Sequence, residues 1–169
     1  MSRRTGIFSL LVAQTVGLCA GSARGRQIEW WPYDRLFKAA DLIIIVEPML
    51  VRDALEIDTT KLIPKKWDYL VPVVSTLKVK YVVKGDYKDQ RLDLVHFRLK
   101  EGTQIGNGPL LVKFSKGPIR IEGPGWGASF NTHPDYMLFL KKTKDGRLEF
   151  VSGYYDPKLS VKHVMDPLP

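Results

Sequence analysis

Apolar and polar residues alternate in short bursts along most of the chain, with the period of half-buried strands rather than of helices. The clearest burst covers residues 73–83, where Leu77, Val79, Tyr81 and Val83 alternate with Lys78, Lys80 and Val82, and Lys84 follows. This pattern predicts a strand whose core side carries Leu77, Val79, Tyr81 and Val83 and whose wet side carries the lysines. Lys84-Gly85-Asp86 reads as the turn that ends it. Upstream, residues 42–46 form a continuous apolar run that suits a buried strand. A bulge is expected at Glu47-Pro48 before residues 49–51, because proline cannot donate to a ladder. Residues 58–68 read as a polar loop. Further strands are expected over residues 92–99, over 110–114 with Leu110, Val112 and Phe114 inward, and over 119–121. Residues 136–140 and 148–151 form a last pair, joined through an Asp145-Gly146 hairpin turn. Residues 160–164 fit either an edge strand or a short helix. Pro32 suits the first turn of a helix, and residues 33–40 follow with Leu36, Ala39 and Ala40 on one face. Trp30 and Trp31, in the extended lead before it, are expected to form a lid. Several short strands and one helix predict a mainly β fold, a barrel or a sandwich.

Residues 1–23 follow a different pattern. Arg3 and Arg4 form a positive start, residues 7–18 an apolar stretch, and Gly21 and Ala23 a small-residue cleavage site. That order predicts a secretory signal peptide followed by one domain over residues 24–169. The apolar stretch is shorter than the about 20 residues a membrane span needs. Ser2-Arg3-Arg4 resembles a twin-arginine start, but Gly6 stands where that pattern wants a large apolar side chain, so ordinary export is expected. Leu18, not a small residue, precedes Cys19, which argues against a lipid anchor. The expected destination is periplasmic or extracellular, with no transmembrane segment in the mature chain.

Charge and cysteine sharpen this only slightly. The 26 Lys and Arg against 18 Asp and Glu give +8 over 169 residues, and loss of Arg3 and Arg4 lowers it to +6. That is within the range solubility alone requires. The lone cysteine, Cys19, leaves with the leader, so stability is expected to come from packing without a disulfide.

The segments "AADLIIIVEPMLV", "STLKVKYVVKGD" and "DYMLFLKKTKDGRLEFVSG" occur in that order after a short helix. Together they resemble the netrin-like or TIMP-like domain, named for the tissue inhibitors of metalloproteinases, over about residues 33–153. The resemblance implies a small OB-like Greek-key barrel of five strands behind the N-terminal helix. It does not carry over the inhibitory chemistry of the animal proteins. That chemistry uses an N-terminal cysteine on zinc, and no residue of the mature chain matches it.

Motifs for catalysis are missing. The three histidines, His96, His133 and His163, show no His-Glu-x-x-His spacing. There is no Gly-x-Ser-x-Gly elbow, Walker loop or dinucleotide fingerprint. Asp86, Asp89 and Asp93 lack calcium-loop spacing. No metal and no cofactor are therefore expected. Binding remains. Lys78, Lys80 and Lys84 on one strand, with His96 and Arg98 sharing a face of the next, predict a basic patch on the barrel wall. Trp126, between Gly125 and Gly127, sits in a loop where its ring either stacks on a ligand or plugs the barrel. His133 lies beside Asp135 and near Ser129. The sequence thus points to a secreted, non-catalytic binding or interaction module. Its expected partner is an anionic envelope polymer or another secreted protein, and nucleic acid is not expected. The alternatives are an inhibitor of an envelope hydrolase acting by loop insertion, and an unrecognised enzyme centred on His133, Asp135 and Ser129.

The export reading predicts that the intact mass of the secreted protein begins at Arg24. An exported chain that retains Met1 or Ser2 would contradict it.

Overall fold

The computed structural model describes residues 26, 28–59, 62–105, 108–116, 119–122, 129–132 and 134–164. The expected leader, Trp126 and His133 lie outside them. The chain is mainly β. One helix, α1 (Tyr33–Ala39), precedes β1 (Leu42–Asp53), β2 (Leu70–Lys84) and β3 (Arg91–Leu99). After these come β4 (Ile119–Glu122), β5 (Ser129–Thr132), β6 (Asp135–Lys142), β7 (Leu148–Phe150) and β8 (Val161–Val164).

The main sheet runs β3-β2-β1-β6-β7, and β8 also pairs with β6. Among the described residues all its pairings are antiparallel. β7 and β8 share one edge of β6, β8 along Asp135–Leu138 and β7 along Leu140–Lys142. The sheet curls until β3 approaches β7, which makes a small, nearly closed barrel of OB-like form. A cleft of about 240 Å³, lined by Leu92, Asp93, Val95, Arg147 and Leu148, marks the seam. The fold therefore has one more main-sheet strand than the five implied by the resemblance. β4 and β5 form a separate two-stranded hairpin.

β1 sits at the centre. Between Ile43 and Val46 it is paired on both edges, with β2 and with β6. Leu42, Ile44 and Val46 enter the barrel interior with Leu77, Leu92, Leu94, Leu138 and Phe150. Ile43 faces the other way and packs under α1 with Leu36, Ala40, Phe139 and Val151. Burial on both faces explains why the run is continuously apolar rather than alternating. β6 pairs β1 only as far as Val46. Pro48 therefore falls where β1 has lost that neighbour, a place where a missing N–H is tolerated. The bulge lies one residue later than expected, at Met49.

The expected alternation in β2 fails beyond Val79. Leu77 and Val79 meet the core, but Tyr81 is 67% exposed and Val83 47%. The register supplies the reason. Val46 pairs with Val79 but Ile45 with Tyr81, leaving Lys80 as an extra residue; Ile44 pairs with Val82 but Ile43 with Lys84, leaving Val83 extra. A bulge shifts the side-chain parity by one. Tyr81 and Lys84 consequently follow Ile45 and Ile43 onto the outer face, beside α1.

Four smaller expectations also change. The segment 110–114 is not a strand. Val112 and Phe114 are buried, yet its backbone is held by Asp156 Oδ1 at Leu110 N and by Tyr136 Oη at Ser115 N rather than by a ladder. Leu110 is only half-buried and Ala39 is exposed. Trp30 is exposed, so the lead forms no lid with it, while Trp31 packs on the cluster under α1 and against Arg35. Of the two alternatives for residues 160–164 the strand holds, as β8 from Val161, and the only helical residue among them is Ser160, the end of a 3₁₀ turn over Pro157–Ser160.

The turn after β2 depends on Gly85, whose φ is +89° and whose hypothetical Cβ would stand 2.4 Å from the Asp41 carbonyl oxygen. Gly102 also has positive φ, at +75°, but open space around it. Gly85→Ala is expected to cost about 2 kcal/mol or more, and Gly102→Ala about 1 kcal/mol. Chemical denaturation of the two variants checks this, and equal losses would contradict the close approach.

Candidate functional site

α1 lies across the outer face of the barrel and does not cover it fully. Its inward side chain, Leu36, is fully buried. Tyr33 and Phe37, one helical turn apart, remain 60% and 48% exposed. Between them and the sheet runs a groove of about 460 Å³, lined by Tyr33, Asp34, Phe37, Lys38, Ile43, Val83, Met137 and Phe139. It is larger than the cleft of about 310 Å³ beside Trp67 or the one of about 190 Å³ beside His163. The Tyr33 ring meets Phe139 edge-on at 6.1 Å between centroids. That contact anchors one wall of the groove. The other wall is built by the bulges in β2, which turn Val83 outward toward Phe37.

Cations stand over both exposed rings. Lys162 Nζ lies 5.5 Å from the Tyr33 ring centroid and Lys84 Nζ 5.1 Å from that of Phe37. Lys84 also donates to the carbonyl oxygens of Phe37 and Ala40, at 2.7 and 2.6 Å. It thereby satisfies carbonyls that the end of α1 would leave without a partner.

The structure does not gather the predicted basic residues into one free patch. Lys78 is exposed opposite Glu47. Lys80 is bound to Asp135 at 2.8 Å, and Glu47 lies 3.8 Å away. Lys84 is held on the end of α1. Arg98 makes a two-pronged contact with Asp53, at 2.8 and 2.5 Å, which holds the Asp53 carboxyl below its usual range. His96 does share a strand side with Arg98, but Arg98, near the strand's end, is exposed, whereas around His96 that side is the barrel interior. Its neighbours there are Leu92 and Leu94, so His96 is buried, not solvent-facing. Asp135 is buried as the partner of Lys80, and Ser129 lies on β5. Trp126 and His133 are outside the described residues.

His96 Nε2 and Ser75 Oγ are 2.7 Å apart, and the imidazole meets Phe114 edge-on. The spacing suits a nucleophile and its base. The surroundings do not: Ser75 is fully buried, and His96 Nδ1 has no side-chain partner among the described residues. Burial, opposed in part by the Phe97 backbone, pushes the imidazole down to about 4. The imidazole is thus buried in the barrel interior and neutral at neutral pH.

Tyr33 and Phe37 were the functional candidates that the sequence pattern left unused. Their signal was an aromatic pair at helical spacing flanking Leu36 on a helix otherwise expected to be amphipathic. Among the described residues no three His, Cys, Asp or Glu side chains gather as metal ligands, and no helix is long and apolar enough to cross a membrane. Comparison with protein-family models, with curated proteins and with solved structures returns no match to this chain.

The His96 site makes a pH prediction. The folded state binds this proton more weakly than the unfolded chain, whose imidazole titrates near 6.5. Its contribution to stability is therefore complete above about pH 6.5 and lost as pH falls toward 4. The full loss is about 3 kcal/mol for a shift of this size. Denaturant titrations across that window should show a steeper acid loss for the wild type than for His96→Gln. Parallel curves would contradict the assignment.

Proposed function

We propose that the protein is an exported, non-catalytic binding module that takes an apolar ligand in the groove between α1 and the outer face of the barrel. The observation that carries this reading is the exposure of Tyr33, Phe37 and Val83 around one concave, almost wholly apolar surface. Exposed apolar residues scattered singly need no explanation, whereas a continuous rimmed patch marks a place where something docks. Leaving two aromatic rings partly in water forgoes burial worth roughly 1–2 kcal/mol for each. A ligand recovers that energy. The inaccessibility of Ser75 and His96 supports the non-catalytic part of the reading, and the helix-then-barrel order supports the netrin-like kinship as part of the same proposal.

A neutral fluorescent probe of apolar sites, N-phenyl-1-naphthylamine, tests it. The wild type is expected to bind the probe, and Phe37→Ser combined with Val83→Ser to weaken binding about tenfold or more, the equivalent of one large apolar side chain. Leu50→Ser removes an equally exposed apolar residue from the far part of β1 and is expected to leave binding unchanged. Equal binding by wild type and the Phe37/Val83 variant would remove the groove from consideration.

A further inference from the structure

We propose that the ligand of this groove is a free single-chain anionic amphiphile, an alkyl chain ending in a carboxylate, sulfate or phosphate. The proposal rests on the apolar-groove reading above and adds the head group. Its chain lies along Tyr33, Phe37, Val83 and Met137, and its head sits at the Phe37 end against Lys38 and Lys84.

Charge selects the head. Among the described residues two lysines of the barrel are ion-paired, Lys80 with Asp135 and Lys141 with Glu149. Neither Lys38 nor Lys84 takes part in an ion pair among the described residues. Lys84 spends two donors on the carbonyls of Phe37 and Ala40, which leaves one for a ligand. Among the described residues the lining holds one acid, Asp34, next to Tyr33 and one helical turn before Lys38. Lys162 lies on the Tyr33 ring. The groove is therefore polarised, positive beside Phe37 and compensated beside Tyr33, and this orients an anionic head.

Shape selects the chain. The two walls are a seven-residue helix and the pleated face of β1, β2 and β6. An extended alkyl chain fills such a trough without polar groups that need partners along its length. Among the described lining residues, side-chain polar groups come only from Tyr33, Asp34 and Lys38, all on α1.

Isothermal titration of the full chain with decyl sulfate, decanol and decyltrimethylammonium, all below their micelle concentrations, tests the head group. Decyl sulfate is expected to bind about tenfold or more tightly than decanol, as charged hydrogen bonds allow, and the cation more weakly than either. Raising salt should narrow the gap, because the lysines are near the surface. Lys38→Gln, a change at an exposed side chain, should narrow it as well. Lys84→Gln should do the same, and Lys38→Gln stands alone if loss of Lys84 loosens α1. Equal affinity for decyl sulfate and decanol would overturn the anionic head and leave the apolar groove intact. Failure of all three to bind would overturn both. Binding to vesicles of anionic phospholipid without binding to free decyl sulfate would overturn the free amphiphile in favour of a membrane surface. Dimerisation that buries the groove would overturn it in favour of a second copy.

Discussion

Residues 42–46 are covered on both faces of one strand, by the barrel interior on one side and by α1 on the other. Ile43 and Ile44 are adjacent in the chain, point in opposite directions and are both fully buried. A strand in that position needs a neighbour on each edge, and β2 and β6 supply them. It also needs a cover for its outer face, and α1 supplies that through Leu36 and Ala40. The order of the sheet, the placement of the helix and the existence of a trough beside it all follow from this one demand. A seven-residue helix is too short to be stable alone, so it persists by covering β1. It is also too short to cover the whole outer face, and the uncovered remainder is the groove.

The bulges at Lys80 and Val83 decide what that remainder looks like. An unbroken β2 would place Tyr81 and Val83 in the core and point its lysines at solvent. With one extra residue at each bulge, the outer face receives Tyr81, Val83 and Lys84 instead. Lys80 is turned to Asp135, whose buried carboxylate would otherwise lack a cation. Lys84 is turned to the end of α1. The same irregularities thus tie the helix down and supply the outer wall of its groove. Bulges near functional surfaces re-aim side chains in this way in many sheets.

Much of the architecture was legible in the residues. Short alternating runs indicate a mainly β fold, barrel or sandwich, with one leading helix, and the choice of a barrel comes from the netrin-like resemblance. The segments of β3, β6 and β7 and the turn at Asp145-Gly146 can be read directly. What was not legible has physical causes. Periodicity carries no mark of a bulge, so the outward turn of Tyr81 and Val83 was invisible. Segment 110–114 has the apolar alternation of a strand, but side chains of Asp156 and Tyr136 take its backbone, and those partners are 46 and 21 residues away. His96 shares the parity of Leu92 and Leu94 and is buried with them, so its register, not its capacity for charge, decides its place. The lysines looked like one patch because their partners, Asp135 and the carbonyls of α1, become neighbours only after folding. The groove is tertiary as well, assembled from one helix and three strands.

A site made from a helix lying on a bulged sheet should respond to its ligand there and nowhere else. Amide shift mapping by NMR during titration with decyl sulfate measures this directly. The account predicts perturbations concentrated at residues 33–38 of α1, 81–84 of β2 and 137–139 of β6, with β3 unchanged. Shifts centred instead on the cleft beside Trp67 and Lys100, or spread evenly through the barrel, would contradict it.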